Sequence, residues 1–275
     1  MQNEGGVAVA QNYYDSDEAD NFYHTIWGGE DIHVGIYEKT RDIREASRTT
    51  VDRMVQLLGD LKGKTVLDIG AGYGGGARVL TSQYGAEHVT CLNIAVKENC
   101  RNRAMNEEAG LSERITVTDG SFDDIPYDDE SFDVIWSQDA ILHAPDRAAV
   151  MAEAVRVLKP GGHFIFTDPM QADDLENSDD LQPIYDRIHL ANLASFGFYE
   201  QELTKRGLEK VDIEKRSMEI ANHYGRVAEE LKARRAEIDA SDEWVERMLA
   251  GLALWVEGAK AGKLAWGIIH FRKPE

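Results

Sequence analysis

The residues best placed to do chemistry begin at VLDIGAGYGGGARVL, Val66 to Leu80, where five glycines fall within seven residues behind an apolar run. A bare turn between a strand pattern and a helix pattern lets a ligand approach the backbone, although such glycines also permit close helix–strand packing. Gly70, Gly72 and Gly75 satisfy G-x-G-x-x-G, a weak signal alone that admits a dinucleotide. Three neighbours favour a different ligand. Asp68, two residues ahead of Gly70, would repel a pyrophosphate but can order the turn and reach a cationic amino-acid group. The next strand pattern ends CLNIA, setting Asn93 and Ile94 where a nucleoside binder meets the ribose hydroxyls; a nicotinamide dinucleotide site normally has an acidic residue there. A third strand pattern ends Asp119-Gly120-Ser121-Phe122, in which a carboxylate beside a backbone N–H can read the amino edge of adenine and Phe122 can pack on the ring. Together these residues suit a nucleoside bearing a cationic amino-acid moiety, lying over Gly70 to Gly74 with Ala71 between them.

Such residues act together only if the strands carrying them end side by side. Strand patterns at Thr65–Ile69, His88–Ile94, Ile115–Thr118, Phe132–Ser137 and Gly162–Thr167 alternate with helical patterns in GGARVLTSQYG, VKENCRNRAMNEEAGL and RAAVMAEAVRVLKPGG. The last of these stops at Lys159-Pro160-Gly161-Gly162. Alternation with short connections predicts an α/β fold, a parallel sheet with helices on both faces and ligands at the carboxyl ends of the strands. Downstream, residues 171–203 read as largely helical, Leu208–Arg216 as a strand, residues 223–260 as two helices, and KLAWGIIHFRKP as a final strand. Helices that interrupt a sheet which later resumes suggest a lid or substrate lobe.

The chain carries 50 Asp and Glu against 30 Lys and Arg, a formal net charge of -20. That balance argues against nucleic-acid and membrane partners, since it repels phosphate backbones and anionic lipid. The acidic residues are scattered (YDSDEADNF, DDIPYDDESFD, DPMQADDLENSDD), which suits solubility at high internal salt and a halophilic habit as well as an ordinary acidic cytosolic enzyme. No apolar run approaches the roughly 20 residues of a membrane helix, and MQNEGGVAVAQNYYDSDEAD lacks the features of a secretory signal. Cys91 and Cys100 are too few for a disulfide framework or a structural zinc, which makes a reducing cytoplasm the expected location. No spacing suggests a metal site or a Ser or Cys nucleophile elbow.

Asp68 to Gly74, the Asp119 turn, IPYDDESFDVIW and RVLKPGG resemble, in order, the motif series of class I S-adenosylmethionine-dependent methyltransferases over about residues 50–170. The ordered series is specific where each piece is not. FYHTIWGGEDIHVGIY, LDIGAGYGGGAR, CLNIAVKENCRNR, SQDAILHAPD, TDPM and AGKLAWG carry a closer resemblance over nearly the whole chain, to sarcosine/dimethylglycine N-methyltransferases. The resemblance implies a Rossmann-like fold with a seven-stranded, mostly parallel sheet, its last strand antiparallel, and helical lid insertions. It implies S-adenosyl-L-methionine as cofactor and N-methylation of sarcosine or dimethylglycine to glycine betaine. One domain over 1–275 is then expected: an N-terminal lid over 1–48, a cofactor-binding core over 49–170, helical insertions with strand six over 171–262, and the final strand over 263–275. The partner would be a small N-methylated glycine, and the chain a monomer or homodimer. Asn93 fits, because the family uses Asn where many relatives keep an acidic ribose ligand. A methyltransferase for phosphoethanolamine or a carbon acceptor, a nicotinamide-dependent oxidoreductase, and a non-catalytic nucleoside sensor are the competing readings.

Methyl transfer from a sulfonium to an amine is an in-line displacement that requires a free amine, alignment and exclusion of water. SQDAILH places Gln138 and Asp139 at the end of the fourth strand pattern, with Gln138 toward the cofactor, and His143 about a helical turn later. Asp139 could face the ammonium and His143 take a proton or bond the substrate carboxylate, the catalytic pair expected here; His143 capping a helix end is the plainer alternative. Pro169 and Met170 after Asp168 offer an apolar wall for N-methyl groups, or a simple strand end. Tyr23, Trp27, His33 and Tyr37 in NFYHTIWGGEDIHVGIY are read as a lid, Trp27 and Tyr37 over the cofactor and Tyr23 toward the substrate. Arg44, Arg48, Arg187 and Tyr199 are the candidate donors to the substrate carboxylate.

Overall fold

In the computed structural model, which describes residues 17–175, 177–187 and 190–275, the strand patterns of the first half line up in one sheet. Strands β1 (Thr65–Ile69), β2 (His88–Asn93), β3 (Ile115–Asp119), β4 (Phe132–Gln138) and β5 (Leu158–Thr167) are all parallel. The later strands are β6 (Met170–Gln171), β7 (Glu209–Lys215), β8 (Leu264–Ala265) and β9 (Gly267–Arg272). The sheet order is β3-β2-β1-β4-β5-β9-β7, with β9 antiparallel to both β5 and β7, and β6 and β8 form a separate antiparallel pair.

Nine α-helices among the described residues cover this sheet: α1 (Asp17–Thr25), α2 (Ile43–Leu58), α3 (Gly75–Ser82), α4 (Val96–Glu108), α5 (Arg147–Val157), α6 (Gln182–Arg187), α7 (Phe196–Lys205), α8 (Met218–Ala233) and α9 (Asp242–Lys260). The two-residue period of a strand sends neighbouring side chains to opposite faces. Phe164 and Phe166 of β5 therefore join Leu67, Ile135, Val150 and Met151 on one face, while Ile165 joins Val66, Trp136, Met54 and Leu80 on the other. Burial on both faces explains why the central strands are nearly continuous apolar runs. A further apolar cluster binds α1 to α8 and α9 through Phe22, Trp27, Val227 and Leu252.

Four features differ from the sequence reading. β5 starts at Leu158 rather than Gly162, and its register against β4 shifts between Phe132 and Val134, so Lys159–Gly162 bulge within the strand instead of preceding it. The final strand is split at Trp266 into β8 and β9. Among the described residues of 171–203 there are the end of β6, a 3-10 turn (Ser178–Leu181), the six-residue α6 and part of α7, less helix than expected. The boundary drawn at residue 48 falls inside α2, and residues 1–16 of the expected lid lie outside the described residues.

Candidate functional site

The carboxyl ends of β1, β2, β3 and β4 surround a cleft of about 750 Å³, measured to include solvent at its mouth. Gly70 and Gly72 form its floor, and Asn93, Ile94, Ala95 and Glu98 line one side. Gly120, Ser121 and Phe122 form another wall, Gln138, Asp139, Ala140 and His143 a third, and Ile32 reaches in from the N-terminal segment. This is the crevice that a parallel α/β sheet offers to ligands.

The glycines divide between two roles. Gly70, at φ +80°, would drive a β-carbon into the Cβ of Ala140; Gly74, at φ +74°, would strike the Asn102 carboxamide; Gly75 would strike Asp31. These three are bare because protein packs on them. Gly72 (φ +52°) meets only Ile32 Cδ1 at 3.6 Å and Glu98 Oε2 at 4.0 Å, and it is the open part of the turn. The expectation that a ligand covers Gly70 through Gly74 therefore narrows to Gly70 and Gly72, and Ala71 is not among the lining residues.

Burial pushes the Asp68 carboxyl up to about 7, opposed by the charge of His33 and reinforced by that of Asp31. Asn93 donates its amide to Glu98 Oε2 at 2.9 Å, so the carboxylate absent from the end of β2 is delivered from the first turn of α4. Asp119 is not among the residues lining the cleft. Its oxygens accept from Asn99 (2.7 Å) and Arg103 (2.8 Å), and these bonds hold its carboxyl below the usual range. The Asp119 carboxylate expected to read adenine is thus held by Asn99 and Arg103 beside the cleft, and Gly120, Ser121 and Phe122 are the residues of that turn that line it. Gln138 Oε1 accepts from the Trp136 indole at 3.0 Å, and because an indole only donates, the amide nitrogen is fixed as the other, unpartnered end.

Asp139 lines the cleft in a left-handed conformation (φ 53°). Oδ2 accepts from Val34 N–H at 2.6 Å, and Oδ1 from the Thr167 hydroxyl (2.7 Å) and the Trp266 indole (2.8 Å). Burial still holds this carboxyl above its ordinary value. His143 also lines the cleft, and burial, with Arg147 adding, pushes its imidazole down to about 4.

A methyltransferase domain model matches residues 67–166. Over 97% of its length the chain is 50% identical to the sarcosine/dimethylglycine N-methyltransferase of Halorhodospira halochloris, covering 96% of that protein. The enzyme of the same description from Aphanothece halophytica is 48% identical, with 96% of each chain covered. The crystal structure of a Galdieria sulphuraria protein superposes with a TM-score of 0.89 at 44% identity, over 94% of this chain and 99% of that one. The chain belongs to this N-methyltransferase family. S-adenosylmethionine is its cofactor.

The methyltransferase cleft fits that group. Glu98 would offer acceptors to its ribose and Gly120 to Phe122 a wall to its adenine, with Gly72 the open floor; Asp68, buried at the end of β1 two residues before Gly70 and not itself lining the cleft, is the carboxyl that would face its amino-acid end. Other predicted residues are not brought to this cleft. Trp27 and Tyr37 surround His223: the ring centroids of Trp27 and His223 are 4.8 Å apart, and the Tyr37 hydroxyl lies 3.0 Å from His223 Nδ1. Tyr23 packs on Phe22 and Trp27. Tyr199 is buried and donates to Asp168 at 2.6 Å, while Met170 and Pro169 are buried beside the β6–β8 pair. Of the other carboxylate donors considered, Arg44 bonds the Gly28 carbonyl, Arg48 pairs with Asp52 and Arg187 bonds the Arg247 carbonyl.

Three residues carry more of the site than their sequence context announces. Glu98 is one. Asp168 is another: fully buried, pushed up to about 7 by burial, it accepts from Leu142 N–H and from Tyr199 and so fastens the segment leading to His143. The third is His223 on α8, whose partners lie nearly 190 residues earlier. A carboxylate one turn after an amide at the ribose position was the only local signal among the three.

Proposed function

We propose that this methyltransferase transfers methyl groups to the nitrogen of sarcosine and dimethylglycine, with glycine betaine as the end product. The observation that carries this reading is similarity at about half of all positions, over essentially the whole length, to enzymes described by that activity. The whole-length match includes the segments that cover the sheet, where an acceptor must sit, and not only the cofactor core. A phosphorylated or diphosphate acceptor fits less well: none of the described cleft-lining residues is a lysine or arginine, while Glu98 and Asp139 are acidic.

When bound, S-adenosylmethionine supplies a methyl group on a cationic sulfonium, primed for displacement by an amine. The chain's residues must hold donor and acceptor in line and keep water out. In our reading Asp68 anchors the amino-acid ammonium, Glu98 the ribose, and Gly120 to Phe122 the base. Asp139 acts as a positioning residue rather than a proton acceptor, since Val34, Thr167 and Trp266 already occupy its oxygens. A neutral His143 can accept a hydrogen bond, but an imidazole driven down to about 4 is a weak base. Dimethylglycine, a tertiary amine, has no proton to lose during the transfer. The acceptor therefore arrives as the free amine, and the rate rises with pH toward the ordinary ammonium value of about 10. The segment from α1 to α2, together with α8 and α9, forms the cover. Cys91 and Cys100 are free thiols, which suits a reducing compartment, and we assign the enzyme to the cytoplasm.

The test is methyl transfer from S-adenosylmethionine with glycine, sarcosine, dimethylglycine and phosphoethanolamine offered separately. Turnover with sarcosine or dimethylglycine and little with phosphoethanolamine is expected; cofactor binding without turnover on any N-methylated glycine would sink the assignment.

A further inference from the structure

Two buried rings pack together beneath the N-terminal segment, their centroids 4.8 Å apart, and each carries an N–H with no acceptor among the described residues. His223 is fully buried on α8 and Trp27 is 5% exposed after α1, and neither Trp27 Nε1 nor His223 Nε2 has a partner among the described residues. The imidazole tautomer is fixed by its other nitrogen. His223 Nδ1 accepts from Gly35 N–H at 3.1 Å, and the Tyr37 hydroxyl stands 3.0 Å from the same atom. Nδ1 is therefore the acceptor and Nε2 carries the hydrogen. Burial, with His33 adding, drives this imidazole down to about 3, so it is neutral at working pH. Indole can only donate. Two donors cannot satisfy each other, and leaving both buried and unbonded is unfavourable unless an acceptor arrives from outside the described residues.

That pair lies outside the cleft lining but is tied to the cleft wall through adjacent backbone groups. Val34 N–H bonds Asp139 in the cleft wall at 2.6 Å, and the very next N–H, that of Gly35, bonds His223. One residue step of about 3.8 Å along the backbone thus separates the attachment to the cleft wall from the attachment to His223 Nδ1, the ring nitrogen across from the unpartnered N–H. The acceptor amino acid has to place its nitrogen at the cleft and its carboxylate a short distance away, and the cationic side chains considered for that carboxylate are committed elsewhere. We infer that Trp27 Nε1–H and His223 Nε2–H bind the carboxylate of the acceptor. The inference rests on the N-methylglycine reading above and names the groups that select a carboxylate over an uncharged amine. Neutral donors suit this role, because a guanidinium beside the nitrogen would disfavour the cationic product, whereas indole and imidazole faces accommodate a quaternary ammonium.

The experiment measures glycine betaine binding calorimetrically in the presence of S-adenosylhomocysteine, and KM for dimethylglycine against dimethylethanolamine, which lacks the carboxylate. The proteins are wild type, Trp27→Phe, His223→Leu and His223→Gln. Wild type must turn over dimethylglycine; if it does not, the functional reading fails and not this one. Trp27→Phe and His223→Leu are expected to weaken betaine binding and raise the dimethylglycine KM by about 10- to 100-fold, leaving S-adenosylhomocysteine affinity and the dimethylethanolamine KM unchanged. His223→Gln, which keeps a donor, should recover part of the loss. Unchanged betaine affinity in a variant that still binds S-adenosylhomocysteine overturns the inference. So does an equal loss on both amines, which would mark a structural role for the pair. Should His223→Leu fail to fold, Trp27→Phe alone decides, since it removes the N–H and keeps an aromatic ring.

Discussion

At the scale of single residues, Asp68 sets up two effects of opposite sign. Its carboxyl is lifted to about 7 in the folded chain from an unfolded value near 3.8. Between those values the folded state holds a proton that the unfolded state has lost, so this group favours the folded chain at low pH and loses that contribution as pH rises to about 7. Asp68→Asn is therefore expected to raise the melting temperature of the ligand-free protein at pH 8 while weakening S-adenosylhomocysteine binding at least tenfold, read by calorimetry and thermal denaturation on one preparation. On the proposed anchoring of the ligand ammonium by Asp68, binding in the wild type selects the ionised carboxylate. Affinity should accordingly rise about tenfold from pH 6 to pH 8, with proton release on binding near pH 6.5 detected by comparing buffers of different ionisation heat. A flat affinity profile would remove Asp68 from the ammonium site. Glu98→Gln, which leaves the Asn93 contact geometry available but removes the charge, should weaken the same ligand by about tenfold.

The scale of the element shows why some of this was legible and some was not. Asp68, Gly70, Gly72 and Asn93 sit where strands end, and a strand end followed by a bare turn is visible in one dimension. Glu98 is presented by α4, Asp119 is held by Asn99 and Arg103 of that same helix, and Trp27 and Tyr37 are drawn to His223. Each of those outcomes depends on a helix face meeting a residue whose partner is named only by the fold. The strand patterns agree in place and order, while β5 starts earlier through a bulge and the final strand breaks at Trp266, whose indole bonds Asp139 from another element. Two element-level outcomes follow. Asp139→Ala abandons three donors from separate elements and should lower the melting temperature by several degrees together with kcat, whereas cofactor affinity should change much less. Gly70→Ala should destabilise the protein by about 2 kcal/mol or more through its positive φ and its collision with Ala140. Pairing it with Ala140→Gly should restore only the steric part, a coupling measurable by a double-mutant cycle.

For the whole molecule the excess of negative charge decides how it responds to its medium. Many of the basic side chains are already engaged, as in Arg53–Glu214, Arg101–Asp20 and Arg216–Glu38, which leaves the net charge of -20 as uncompensated repulsion across the surface. Shortening the Debye length from about 30 Å at 0.01 M to about 3 Å at 1 M screens that repulsion. Melting temperature is expected to climb by several degrees as potassium chloride is raised over this range, and a curve independent of salt would show that the acidic surface has no such effect.

The place of β9 between β5 and β7 bears on how the chain is made. Until β9 has left the ribosome, β7 has nothing to pair with, and about 57 residues separate the end of one from the end of the other. At roughly 5–20 residues per second, an unpaired strand waits for several seconds in a crowded cell. Its sequence, EKVDIEK, meets that interval with five charged residues in seven, a composition that discourages pairing with strangers. The charge pattern of β7 thus guards the nascent chain before there is any sheet to protect, and continues afterwards as the guarded edge of the finished one.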